Sequence, residues 1–171
     1  MWVDEYARTT VPGLYAAGDM ASVPHNYMLG AFVNGAIAGE NAAALAGSTE
    51  LPGYDPRNVE TERTRVLAPL NNKEGLPPNQ VEYKIRRFVN DYLQPPKVTC
   101  KYEIAQRRFA EIREDLPRLV ARDAHELMRA LEVHSILDCA DMAAAASHYR
   151  TESRWGLYHY RLDYPAADDA N

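Results

Sequence analysis

The sequence predicts a mainly α-helical protein: a short strand plus a helix, then an antiparallel bundle of three or four helices, then an irregular tail. Two observations predict this order. Residues 14–17 are a short apolar run that stops at Gly18 and Asp19, as a buried strand before a turn would. Between residues 55 and 150, apolar side chains recur every three or four positions and are interrupted by proline- and glycine-containing breaks.

Composition restricts the classes of function. The chain has 171 residues with a formal net charge of −5, which does not favour nucleic acid or an anionic membrane surface as a partner. No apolar run approaches the ~20 residues that span a bilayer, and no signal peptide is recognisable. Cys100 and Cys139 form no C-x-x-C pair, so an iron–sulfur cluster or zinc ribbon held by this chain alone is excluded, and a reducing cytosol is favoured.

The most informative stretch is residues 11–47, which reads as a strand, a glycine turn, a polar loop and a helix over residues 28–46. Gly47 is expected to cap the end of this helix. Three glycines, at positions 30, 35 and 39, lie inside the helix, and each costs up to ~1 kcal/mol relative to alanine. A helix tolerates such residues where another group approaches its backbone closely.

The helices after residue 50 have recognisable starts and faces. Asp55 is expected to cap a helix with Pro56 at its first position, and Asp123 with Glu126 forms a capping box. Two amphipathic stripes predict the intervening helices: Val81, Ile85, Phe88, Val89 and Tyr92, then Tyr102, Ala105, Phe109, Ile112 and Leu116.

Asp19 and the first turn of the helix at residue 28 are candidate ligand-binding groups. The Asp19 carboxylate can accept two O–H hydrogen bonds from a ribose-like ligand, or it can bond its own turn. The backbone N–H groups of Met28, Leu29, Gly30 and Ala31 have no intrahelical acceptor and, with the helix dipole, can stabilise an anion. Alternatively, the glycines only permit tight packing on a sheet.

His25 is the candidate catalytic residue, because the helix dipole just after it favours a neutral ring that can polarise a substrate. A solvated loop histidine is the alternative. Tyr27 is expected either to line the same substrate pocket or to pack against the protein. The remaining histidines show no metal-ligand spacing, so no metal site is expected.

These residues carry a family resemblance. The segment V-P-G-L-Y-A-A-G-D resembles the C-terminal flavin-binding segment of the succinate dehydrogenase and fumarate reductase flavoproteins. The following H-N-Y-M-L-G and G-A-I-A-G are most similar to the adenylylsulfate reductase alpha-subunit branch, whereas the substrate-gripping arginine of the dicarboxylate branch is absent. Near the end, E-S-R followed by H-Y-R-L-D-Y-P and D-D resembles the tail signature of the same superfamily.

The resemblance implies an FAD-dependent oxidoreductase that transfers hydride or electrons between FAD and a small substrate. It implies that Asp19 binds the ribityl hydroxyls, that the helix N-terminus at residues 28–31 faces the flavin N1/O2 edge, and that an iron–sulfur subunit accepts electrons. The division it implies is residues 1–50 as the C-terminal remnant of an α/β FAD-binding domain, 51–150 as the helical domain and 151–171 as an extended tail. The expected location is cytoplasmic, or at the cytoplasmic membrane face through partner subunits.

No G-x-G-x-x-G phosphate-binding turn occurs in the sequence. The expectation is therefore a C-terminal portion, without the N-terminal FAD and capping domains, that binds FAD poorly and is inactive by itself. The alternative is a stand-alone helical protein-interaction module without catalysis.

Charged side chains elsewhere are expected to have structural roles. Arg154, His159 and Arg161, beside Asp163, are expected to form a hydrogen-bonded tail that docks on the flavin domain or on a partner subunit. The arginines of the later helices are expected to form a solvated face, or alternatively to bind an electron-transfer partner; these are Arg107, Arg108, Arg113, Arg118 and Arg122.

Overall fold

The computed structural model describes residues 1–23, 27–50, 53–154 and 156–169. The α-helices of the described residues are α1 (Met28–Ser48), α2 (Pro56–Asn71), α3 (Pro78–Phe88), α4 (Thr99–Asp115) and α5 (Ala124–Tyr149). The chain divides into two compact units, Met1–Tyr54 and Asp55–Asn171. The predicted mainly helical class is confirmed. Within the described residues, no helix is both long and apolar enough to cross a bilayer.

In the first unit, a single antiparallel bridge between Arg8 and Tyr15 takes the place of the strand predicted at residues 14–17. Its backbone bonds join Thr9 N to Leu14 O and Ala16 N to Ala7 O, at 3.0 and 3.1 Å. Gly13, with φ of +81°, allows the tight turn between the two sides. A strand needs a continuous ladder of partners, and here the partner is only the short segment just before the turn.

Helix α1 runs past its predicted end, so the expectation that Gly47 would be its C-cap is wrong. The helix continues to Ser48, and Thr49 is the C-cap residue. The hydroxyls of Ser48 and Thr49 donate to the carbonyl of Leu45 at 3.0 and 2.8 Å, which satisfies a carbonyl left free at the helix end without a glycine. No side chain of α1 is buried, and a Cβ added at Gly35 or Gly39 would meet nothing within 4 Å.

The second unit is built around a continuous apolar core from α3, α4 and α5. Both predicted stripes supply core residues, and α5 adds its small and branched apolar face. A π-helical turn, Val89–Leu93, extends α3 and brings Leu93 into the core. Helix α2 contributes one buried residue, Pro69, close to its C-terminal end. The fully buried members are Val81, Ile85, Tyr102, Ala105, Phe109, Leu119, Ala130, Val133, Leu137 and Ala144.

The predicted helix caps are present, one of them in altered form. The Asp55 carboxylate accepts from Arg57 N at 2.9 Å, with Pro56 at the first helical position. The Asp123 carboxylate accepts from Glu126 N at 2.9 Å. The Glu126 carboxylate, however, accepts from Arg122 N rather than from the cap residue itself, and it also pairs with the Arg122 guanidinium.

Because of this altered cap, we expect the stability of the start of α5 to decrease in acid. The hydrogen bonds from Arg122 lower the pKa of Glu126 from 4.5 to about 2. Because the folded pKa is the lower one, this stabilisation is present above pH 4.5 and is lost as the pH falls toward 2. We expect Glu126→Gln to flatten this part of the pH dependence of thermal unfolding, followed by circular dichroism. Glu103→Gln, at an exposed position of α4, should leave the profile unchanged; equal profiles for both variants would contradict the prediction.

The tail, residues 150–154 and 156–169, packs on the helices of its own unit. Lys97 and Arg161 form a parallel bridge, with Lys97 N donating to Tyr160 O and Leu162 N donating to Lys97 O, both at 2.9 Å. A second bridge, antiparallel, joins Arg154 and His159. The tail is expected from sequence to dock on the flavin domain or on a partner subunit. In these contacts, it packs instead on the helical bundle of its own unit.

Candidate functional site

The structure brings the turn that carries Asp19 against the first turn of α1. Gly18–Met20 is a 3₁₀ turn, and the Asp19 side chain is exposed. A Cβ added at Gly18 would lie 3.8 Å from the Ala31 Cβ, in ordinary van der Waals contact. Gly18 also has a φ of +68°, which other residues adopt at a cost. Two of the predicted positions, Asp19 and Ala31, are thereby placed in neighbouring turns.

Among the residues that the structure describes, no side chain caps the N-terminus of α1. Tyr27 is the N-cap residue and provides no side-chain cap, and the first intrahelical bond runs from Ala31 N to Tyr27 O at 2.8 Å. The N–H groups of Met28, Leu29 and Gly30 precede this bond, so helix geometry gives them no intrahelical acceptor. The same prediction for the Ala31 N–H is wrong, because Tyr27, as the N-cap residue, already offers its carbonyl to it. The predicted residue His25 lies outside the described residues.

Apolar side chains around this helix start are exposed to an unusual degree. Tyr27, Met28, Leu29 and Phe32 are each more than 70% exposed. Together with the N–H groups and the Asp19 carboxylate, they suit a ligand that has a flat apolar body, a negative edge and several hydroxyl groups. A cavity of about 570 Å³ in the same unit lies elsewhere, between the turn at residues 8–15 and the C-terminal half of α1.

The second unit contains a buried polar cluster whose contacts sequence reasoning missed. Arg161 is fully buried, and its guanidinium binds both oxygens of Asp163 at 2.8 Å. Its Nη1 donates to the carbonyl oxygens of Ser147 and Arg150, each at 3.0 Å, at the end of α5. The cation thus occupies the negative end of the α5 dipole. The sequence predicts a hydrogen-bonded tail that contains Arg161 and Asp163, but it indicates neither the burial of Arg161 nor its bonds at the end of α5.

Asp163 in turn caps the next helix. Its Oδ2 accepts from Thr99 N at 2.8 Å and from Thr99 Oγ1 at 2.6 Å, at the start of α4, where the local N-cap residue Val98 provides no side-chain bond. The hydrogen bonds from Arg161 are the largest cause that lowers the pKa of Asp163 well below its usual range. The Arg161–Asp163 ion pair therefore caps the C-terminal end of α5 and the N-terminal end of α4 together.

Three further buried groups complete the cluster. Glu152 is fully buried, and its carboxylate accepts from Arg154 Nε at 2.8 and 2.7 Å, which lowers the pKa of Glu152. Lys97 and His159 are almost completely buried, with Lys97 Nζ 3.4 Å from His159 Nδ1. Among the described residues, no group of three or more His, Cys, Asp or Glu could hold a metal ion. The cluster thus has the composition of a structural network.

Comparison with known proteins decides the family. A family model described as the fumarate reductase flavoprotein C-terminus matches residues 85–171, half of the chain. This chain belongs to the fumarate reductase flavoprotein C-terminal family. Its predicted membership of the superfamily is thereby confirmed.

Relatives and solved structures agree with this family. L-aspartate oxidase of Yersinia pestis is 28% identical over 177 residues, which cover 95% of this chain and 30% of the relative. Adenylylsulfate reductase from Archaeoglobus fulgidus has a TM-score of 0.75 at 28% identity, covering 82% of this chain and 25% of that one. Quinol fumarate reductase of E. coli shares the fold, with a TM-score of 0.82 at 22% identity, covering all of this chain and 32% of that one. The chain thus spans about 30% of the length of the curated relative.

Proposed function

We propose that this chain is the C-terminal part of an FAD-dependent oxidoreductase that transfers hydride or electrons between FAD and a small substrate. The observation that carries the proposal is the N-terminus of α1, which has no side-chain cap among the described residues, exposed apolar side chains around it and the Asp19 turn beside it. No residue of α1 is fully buried. Membership of the flavoprotein family supports the same conclusion.

Each candidate residue has a defined role in this proposal. The Asp19 carboxylate binds the flavin's ribityl hydroxyls. The N–H groups of Met28, Leu29 and Gly30 donate toward the flavin N1/O2 edge, where negative charge develops on reduction, and the α1 dipole stabilises that charge. Ala31, whose N–H donates to Tyr27 O, closes the first turn beside them. FAD, when bound, supplies the two-electron chemistry.

The substrate side and the partners are part of the same proposal. His25 is assigned to polarise the substrate, and Tyr27, with its exposed ring at the start of α1, lines the substrate pocket. N-terminal FAD-binding and capping domains supply the rest of the cofactor and substrate sites. An iron–sulfur subunit exchanges electrons with the flavin. The assembly lies in the cytoplasm or at the cytoplasmic face of the membrane.

The test is the FAD content of the whole gene product that carries this chain. We expect Asp19→Ala to weaken FAD binding about tenfold or more, because hydrogen bonds to a charged acceptor are worth about 1.5–3 kcal/mol each. Binding is measured by titrating the apoprotein with FAD and following the quenching of flavin fluorescence. The matched control is Glu50→Ala, another exposed acid of the same unit, which should bind as the parent does. Unchanged affinity in Asp19→Ala would overturn the assignment.

The self-contained core of the second unit favours one other function, a helical interaction module without catalysis. In that case the first unit would be a dispensable arm. Limited proteolysis of the whole gene product separates the two functions. FAD should protect the first unit from cleavage if it binds flavin, whereas an arm would be removed at the same rate with and without FAD.

A further inference from the structure

A buried pair of basic side chains in the second unit has no part in the proposed flavin chemistry. Lys97 precedes α4 and is 9% exposed; His159 lies in the tail and is 7% exposed. Lys97 Nζ lies 3.4 Å from both His159 Nδ1 and Ser147 Oγ. Among the described residues, no carboxylate makes a hydrogen bond or ion pair with this ammonium group. A buried ammonium without a counter-ion is costly, so the protonation state of its neighbour matters.

We propose that His159 and Lys97 form a pH-sensitive latch, which holds the tail on the helical bundle while His159 is neutral and releases it when His159 is protonated. In the neutral ring, Nδ1 can accept a hydrogen bond from the Lys97 ammonium. In the protonated ring, both nitrogens carry hydrogens, and two cations would face each other at 3.4 Å in a buried site.

The charges that surround His159 offer no compensation. Arg150 faces it from the end of α5, Lys97 from the segment before α4, and Arg161 from the tail itself. The two nearby carboxylates are already engaged, because Asp163 is bound to Arg161 and Glu152 is bound to arginines. The backbone of Arg150 favours the protonated ring, but less than burial and the Lys97 charge oppose it.

The direction of the pH effect follows from these contacts. Burial, then the charge of Lys97, lowers the pKa of His159 below 6.5 in the docked state. The released tail binds the proton more tightly, so docking is strongest above pH 6.5 and weakens as the pH falls through the lowered pKa. Burial, then Arg161, also lowers the pKa of Lys97 from 10.5, so this group weakens docking as the pH falls below 10.5, in a window of its own.

The latch is placed where it controls the attachment of the tail. The Lys97 backbone bonds to the tail on both sides of Arg161, through Tyr160 O and Leu162 N. Release would therefore also withdraw the Asp163 cap from Thr99 and the Arg161 guanidinium from the carbonyls at the end of α5. The ends of two helices would fray together with the tail.

Hydrogen exchange of the tail amides tests the latch in the full chain. After correction for intrinsic exchange, the protection factors of the Arg154 and Leu162 amides should rise between about pH 5 and about pH 8. The rise should be about tenfold for each unit by which docking lowers the pKa of His159. His159→Gln, which cannot be protonated, should remove this rise. His125→Gln, at an exposed position of α5, is the matched control and should retain it. A flat profile in the parent chain, or an undiminished rise in His159→Gln, would overturn the proposal.

A second measurement does not depend on the folding of that variant. Titration of the His159 ring protons by NMR reports its pKa directly in the parent chain. Lys97→Met removes the facing cation, so the pKa of His159 should move upward toward 6.5. If His159 titrates at the same pH in both proteins, or titrates in the parent chain like an exposed histidine, the latch does not exist.

Discussion

Replacing Arg161 by methionine is expected to lower the free energy of unfolding of the second unit by about 3 kcal/mol or more. The guanidinium is fully buried and donates to Asp163, to Thr99 Oγ1 and to carbonyl oxygens at the end of α5. Methionine fills similar space, but it leaves the Asp163 carboxylate without its cation and the carbonyls without a donor. The measurement is urea unfolding followed by circular dichroism.

Two further variants show whether the effect arises from this geometry. Arg161→Lys keeps the charge and should recover only part of the loss. An ammonium group lacks the planar array of donors with which the guanidinium binds two carboxylate oxygens and several carbonyl oxygens at once. Arg63→Met removes an arginine of the same unit whose side chain is 68% exposed and should change stability little. If Arg161→Met and Arg63→Met unfolded at the same urea concentration, the assigned role of Arg161 would be wrong.

Replacing Gly75 by alanine is expected to cost about 3 kcal/mol, because the new methyl group would collide with backbone. A Cβ at this position would lie 2.0 Å from Arg118 O and 3.0 Å from Val120 Cγ1. The neighbouring backbone cannot move freely, since Leu76 N donates to Arg118 O at 2.8 Å and Val120 N donates to Leu76 O at 3.1 Å. Relief of the collision would break this pair of bonds, and thermal unfolding should begin at a clearly lower temperature.

The matched control for this substitution is Gly53→Ala. A Cβ at Gly53 would meet nothing within 4 Å, and this glycine also lies outside the helices. We expect its melting temperature to stay close to that of the parent chain. A similar loss in both variants would mean that backbone flexibility, rather than the contact with Arg118, sets the cost at Gly75.

Local patterns in the sequence were sufficient for most of the helical unit. The stripe beginning at Val81 and the one beginning at Tyr102 both supply core residues, because helical periodicity depends only on nearby positions. The caps at Asp55 and Asp123 were likewise predictable, since each bonds within three residues. The expected cap at Gly47 failed because the hydroxyls of Ser48 and Thr49 provide another way to satisfy the helix end.

The residues of the candidate site, proposed from sequence, stay a prediction, and their geometry came from the structure. The turn at Gly18 lies against Ala31, and no side chain among the described residues caps the helix start. The role of His25 stays a prediction. The strand predicted at residues 14–17 is reduced to one bridge, because strand formation depends on partners that local sequence does not specify.

The sequence by itself determined the helices, most of their ends and the membership of a flavoprotein family, because these depend on neighbouring residues and on motif spacing. Only the tertiary structure decided that Arg161 and Asp163 close two helices at once and that Lys97 lies against His159. The contacts of Asp163 with Thr99 and of Lys97 with His159 join residues 64 and 62 positions apart in the chain. Whether a charge is buried and what it faces follows from how the tail packs on the bundle, and no local pattern carries that information.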